Sequence, residues 1–136
     1  MFTSVNTRAA SAYKRVAVET GIESADAHQL VNMLFEALLQ SVARARAAME
    51  RGDLVDKGQQ IGKAVRLIEE GLKAGLNREG GGEMAQNLGA LYAYSVRRLT
   101  EANLRNDTKA LAEVVTLIEP LAQAWKDIRA EALQGA

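Results

Sequence analysis

The sequence predicts an all-α fold, an antiparallel four-helix bundle with a short N-terminal helical arm. Three observations carry this. Long segments repeat apolar residues at i, i+3, i+4 and i+7, the period of one helix face. The chain holds a single proline in 136 residues, and Ala and Leu, both strong helix formers, are abundant. The breaks between periodic segments are short and carry helix start and stop signals, and short connections force neighbouring helices to run antiparallel.

The arm spans residues 1–21 and is expected to be mobile. Ala9–Val18 reads as a short helical stretch that Thr20-Gly21 ends. The bundle follows over 26–131, and residues 1–136 read as one domain. The first long helix is expected from Asp26, an N-cap whose capping box Gln29 completes, to about Arg51, where Gly52 stops it. Leu30, Leu34, Leu38, Ala45 and Ala48 form one apolar stripe, and Val31, Phe35, Val42 and Met49 a second beside it. A helix apolar over more than half its circumference needs more than one neighbour.

The second helix is expected from Asp53 or Asp56 to about Leu76, with Ile61, Val65, Ile68 and Leu72 as its core stripe and Leu67 pointing away from it. Gly58, Gly62, Gly71 and Gly75 lie inside this helix. Each costs about 1 kcal/mol relative to Ala. Two readings stand: close approach of a neighbouring helix, or a shallow groove that admits a partner's backbone. Gly80-Gly81-Gly82 reads as a loop. The third helix runs from about Glu83 to Asn103, with Met84, Leu88, Leu91, Tyr92, Ser95, Leu99 and Ala102 inward and Tyr94 on a flank, one turn from Arg98. Asn106-Asp107 caps the fourth helix, whose stripe is Leu111, Val114, Val115, Ile118, Leu121, Trp125 and Ile128. Pro120 sits opposite that stripe, where its missing N–H is tolerable and bends the helix around the core.

Composition excludes several kinds of chemistry. There is no cysteine, hence no disulfide, thiolate metal site or thiol nucleophile. There is one histidine, His28, and the residue three before it is Ala25, so a di-iron bundle built on Glu-x-x-His pairs fails. His28 reads as a solvated or capping residue. Seventeen basic residues balance seventeen acidic ones, without the basic surplus of a nucleic-acid binder. The N-terminus lacks the apolar run of a signal peptide, and nothing spans a bilayer. The expected compartment is the cytoplasm, with no cofactor, no metal, no nucleic acid and no membrane insertion. Glu69-Glu70 reads as a solvated face, since adjacent helical residues diverge by about 100°. Arg97-Arg98 either pairs with Glu101 or frames a partner's acidic residue. The glycine run before Glu83 lacks the Lys-Ser/Thr of a phosphate loop.

What remains is apolar surface in excess of the core. Leu67 off its stripe, Tyr94 and Leu117 on flanks, and the second stripe of the first helix point to a groove for an amphipathic segment. An enzyme built on a helical bundle is opposed by the missing ligands and nucleophile. A self-assembling bundle would form large species without a partner.

The residues Asp26–Phe35, Lys63-Ala64 with Ile68, Gly81-Gly82-Glu83 with Asn87-Leu88, Leu91-Tyr92-Ala93-Tyr94, Arg97-Arg98-Leu99, Ala102-Asn103, Glu113-Val114 and Ala124-Trp125 stand in an order and spacing of their own. In these, over about Ala12 to Ile128, the chain resembles the flagellar secretion chaperone FliS family. The resemblance implies a cytosolic chaperone, not an enzyme. It implies binding of flagellin's disordered C-terminal segment, which prevents premature polymerisation, and delivery of flagellin to the export gate. It implies a partner that wraps the bundle and folds into helical pieces, and an arm that covers part of that surface through Tyr13 until displaced. The chain departs from the family pattern with Asp26-Ala27 for Ser-Pro and LYAYS for LYDYM. The partner-binding residues expected are Tyr13, Val31, Phe35, Leu67, Leu91, Tyr94, Arg98 and Leu117.

Overall fold

A computed structural model describes residues 27–76 and 82–134. The arm with Tyr13, the Asp26 cap and most of the glycine loop lie outside the described residues.

Four helices form. α1 spans Ala27–Glu50. Gly52 stops it with a φ of 77°, a left-handed conformation that glycine adopts without a Cβ penalty. The Gly52 N–H donates to Met49 O (3.2 Å) and the Asp53 N–H to Ala48 O (2.9 Å), which satisfies carbonyls the helix end leaves open. Asp53 then caps α2, Leu54–Arg66, by accepting the Asp56 N–H at 3.0 Å. α3 spans Gly82–Arg105. It ends at Asn106, which takes a φ of 53°, and the Asp107 N–H reaches back to Ala102 O at 3.1 Å. Asp107 caps α4, Thr108–Gln134, through the N–H groups of Lys109 (2.9 Å) and Ala110 (3.4 Å).

Among the described residues α1 packs against α2 and α4, and α3 against the same two, so α1/α3 and α2/α4 are the diagonals of a four-helix ring. The short turns at Gly52 and Asn106 make each joined pair antiparallel. Leu34, Leu38, Val42, Ile68, Leu99, Leu111, Val114 and Ile118 are essentially fully buried and form the centre. Each contributes about 1.5–3 kcal/mol by leaving water. Ser95, buried among them, donates its hydroxyl to Leu91 O at 2.9 Å and so leaves no orphan polar atom.

The structure corrects several expectations. The second helix does not run as one α-helix to Leu76. After Arg66 it widens into a π turn, Leu67–Leu72, in which the Lys73 N–H bonds Ile68 O five residues back. Leu67, Ile68, Gly71 and Leu72 are all buried there, while Glu69 and Glu70 are exposed as expected. Leu67 therefore does not point away from the core. α2 and the π turn that continues it lie between α1 and α3, and the buried arc runs from Ile61 and Ala64 of α2 into Leu67 of the turn. Phe35 and Val42 are likewise buried, because α1 touches both α2 and α4 and its second stripe is used internally. Met84 is 72% and Ile128 53% exposed, so neither faces inward as expected.

The glycines divide. At Gly71 an added Cβ would stand 2.8 Å from Leu34 Cδ2 and 3.2 Å from Cδ1, so close helix approach holds at this position. At Gly58 nothing lies within 4 Å, and at Gly62 only the Arg66 guanidinium at 3.9 Å. Close packing does not explain those two.

Candidate partner-binding surfaces

The seam between α3 and α4 brings together two of the expected residues, Tyr94 and Arg98. Tyr94 and Arg98 project from α3 one turn apart and meet Glu113 of α4. The Tyr94 hydroxyl donates to Glu113 Oε1 at 2.6 Å, and Arg98 Nε donates to the same oxygen at 2.9 Å. Arg98 Nη1 also donates to Glu101 Oε2 at 2.6 Å, and the Arg98 side chain is only 23% exposed. The pairing of Arg98 with Glu101 thus holds, and Glu113 joins it from the facing helix. Leu91, one turn before Tyr94, and Leu117, one turn after Glu113, are both half-buried.

The charges in this cluster shift one another. The Tyr94 hydroxyl bond, and then Arg98, hold the Glu113 carboxyl below its ordinary 4.5. The same bond to Glu113 raises the Tyr94 hydroxyl above its usual 10.0. The carboxylates of Glu101 and Glu113 raise Arg98. Each shift favours the state in which the bonds are made, so the cluster is a tie between helices. Arg97, beside it, is exposed and places its guanidinium 5.3 Å from the centre of the Tyr94 ring.

The other expected residues lie elsewhere. Phe35 and Leu67 are core residues, not accessible surface. Val31 is half-buried near the start of α1. There His28 does not act as a solvated cap. Its ring stacks on Trp125 of α4, with centroids 4.2 Å apart and planes inclined by 15°. Trp125 Nε1–H donates to His28 O at 2.8 Å, and Lys126 pairs with Glu36 at 3.4 Å, which closes this end of the α1/α4 seam.

Further along the same seam the helices leave an open groove of about 680 Å³, lined by Val42, Ala43, Ala47, Leu111, Ala112, Val115 and Thr116 together with the charged Arg46 and Glu50. Small side chains make it: alanines at 43, 47 and 112 do not fill the space that larger residues would. Sequence reasoning missed this groove because alanine reads as helix former and core residue alike.

It also missed Lys57. This lysine is 6% exposed and donates to Asn103 O (2.8 Å) and Asn106 Oδ1 (2.6 Å). A cation at a helix C-terminus meets the open carbonyls and the negative end of the dipole. The signal available was a lysine four residues before Ile61 on the same face, an odd place for a solvated charge.

Among the described residues no cluster of His, Cys, Asp and Glu is arranged to hold a metal ion, and no helix is long and apolar enough to cross a membrane.

Residues 9–132 match the family described as flagellar protein FliS. The chain is 50% identical over 121 residues to the flagellar secretion chaperone FliS of Salmonella typhimurium strain LT2, covering 89% of this chain and 90% of that one. It is 45% identical over 116 residues to the flagellar secretion chaperone FliS of Escherichia coli K12, covering 85% of each. It is 36% identical over 108 residues to the protein of the same description from Bacillus subtilis strain 168, covering 79% of each.

Proposed function

The chain belongs to the FliS family, a family of flagellar secretion chaperones, and from that premise we propose that its client is flagellin's disordered C-terminal segment. Masking this segment in the cytoplasm prevents premature polymerisation, and the loaded complex is handed to the export gate of the flagellar secretion apparatus. The protein acts by binding and not as an enzyme. The observation that carries the reading is the match across nearly the whole chain to proteins named flagellar secretion chaperones.

The surfaces support it physically. The groove between α1 and α4 is open and lined by small and apolar residues beside the charged Arg46 and Glu50, a combination that admits an amphipathic helix. Leu91 and Leu117 add half-buried apolar area on the α3/α4 seam. Tyr94 and Arg98 take a positioning role, since their polar groups are spent on Glu113 and Glu101. Val31 flanks the client path at the His28 end, and Tyr13 remains assigned to it from the sequence.

Ordering a disordered segment costs on the order of 2–5 kcal/mol, which apolar burial must offset. Titration calorimetry with the C-terminal segment of the same organism's flagellin should therefore give a stoichiometric complex with a negative heat-capacity change. No heat and no complex at micromolar concentrations would overturn the assignment.

A further inference from the structure

We propose that Arg97 is a docking point for an acidic side chain of the client, held ready by the Tyr94 ring; the inference rests on the client reading above. Two adjacent arginines on α3 have different circumstances. Arg98 is half-buried and its charge is matched by Glu101 and Glu113. Arg97 is exposed and pairs with no carboxylate among the described residues. Glu101, four residues on and the natural i+4 partner for Arg97, is turned instead to Arg98 at 2.6 Å.

Arg97 is nonetheless not a loose surface charge. Its guanidinium stands 5.3 Å from the centre of the Tyr94 ring, within cation–π range. That ring is fixed in turn because its hydroxyl is bound to Glu113 at 2.6 Å. A guanidinium held over a fixed ring loses less rotamer freedom when it meets a carboxylate than a free arginine does. Beside Tyr94 and Glu101, the remaining near neighbours on this face are small and uncharged. Ala93 and Ala90 lie one and two turns before Arg97, Thr100 one turn after, and all are exposed. An extended or helical segment can lie close to α3 there, with its carboxylate reaching Arg97 and its apolar side chains reaching toward Leu91. Charge complementarity selects the occupant: a segment of low polarity with one Asp or Glu in register.

Calorimetry of wild type and Arg97→Gln against the flagellin C-terminal segment tests this, with a peptide panel in which each Asp or Glu is changed in turn to its amide. Helicity is unaffected by Arg97→Gln, since the side chain is exposed, and circular dichroism checks it. The expected result is about tenfold weaker binding for Arg97→Gln, the usual size for a charge-assisted bond. Its affinity should also fall less steeply with salt. One amidated peptide should weaken wild type equally and Arg97→Gln no further, the signature of a direct pair. Arg97→Glu with the corresponding Lys peptide should regain binding. Wild-type affinity and salt dependence in Arg97→Gln, or strictly additive effects for every peptide, would overturn the proposal while leaving the client intact. No binding by wild type would overturn the client reading, and this proposal with it.

Discussion

The same substitution should have opposite signs at Gly71, in the π turn, and at Gly58, in α2. Gly71→Ala places a methyl 2.8 Å from Leu34 Cδ2 and 3.2 Å from Cδ1. Leu34 is 0% exposed and wedged in the centre of the core, so it cannot swing aside without displacing its neighbours. Overpacking of this kind costs about 1–3 kcal/mol, against a gain of at most about 1 kcal/mol in helix propensity. Within a π turn even that gain is reduced. The net expectation is a loss of about 1–2 kcal/mol, or roughly 4–8 °C in Tm for a chain of this size. Gly58→Ala adds a methyl with nothing within 4 Å. It should stabilise by about 0.5–1 kcal/mol. Urea unfolding followed by circular dichroism measures both at constant m-value. Adding Leu34→Val to Gly71→Ala removes part of the clash, so the double variant should lose less than the sum of the single losses. Equal signs at the two glycines, or strict additivity with Leu34→Val, would refute the packing argument.

Lys57→Met keeps the buried stem but leaves Asn103 O without its charged donor, and should cost about 1–3 kcal/mol in the same unfolding assay. Leu38→Ala, at a site with 0% exposure, should cost about 2–5 kcal/mol. For Glu113 the carboxyl is held below its ordinary 4.5 in the folded chain by Tyr94 and then Arg98. Its contribution to stability is therefore complete above the ordinary carboxylate range and disappears as pH falls through the folded-state value. Wild type should exceed Glu113→Gln in unfolding midpoint at neutral pH, with the gap closing on acidification; a gap that widens toward low pH would contradict the geometry. Tyr94 acts at the other end of the scale. Its hydroxyl is raised above 10.0, so the bond to Glu113 is kept at neutral pH and lost only as strong alkali ionises it, which a Tyr94→Phe comparison reads.

The helices and their ends were legible in the sequence because the forces that set them are local. Asp53 and Asp107 cap through N–H groups two or three residues away. Gly52 and Asn106 turn the chain in the left-handed region. The apolar period of Leu34, Leu38, Val42 and Ala45 needs no knowledge of a partner helix. The Arg98–Glu101 pair was legible for the same reason, since i and i+3 share a face. What sequence left open was which flank of each stripe would be covered. Phe35 and Leu67 read as surplus surface and are core, because α1 and α2 each have two neighbours. Gly71 and Gly58 look alike as residues and differ only in whether Leu34 stands opposite. The π turn, the Lys57 cap, the Glu113 side of the Arg98 cluster and the alanine-floored groove all depend on what another helix presents across a seam. Periodicity records the direction a side chain takes from its own axis; burial, pairing and open space depend on the distance to the next axis, which packing of the whole bundle sets.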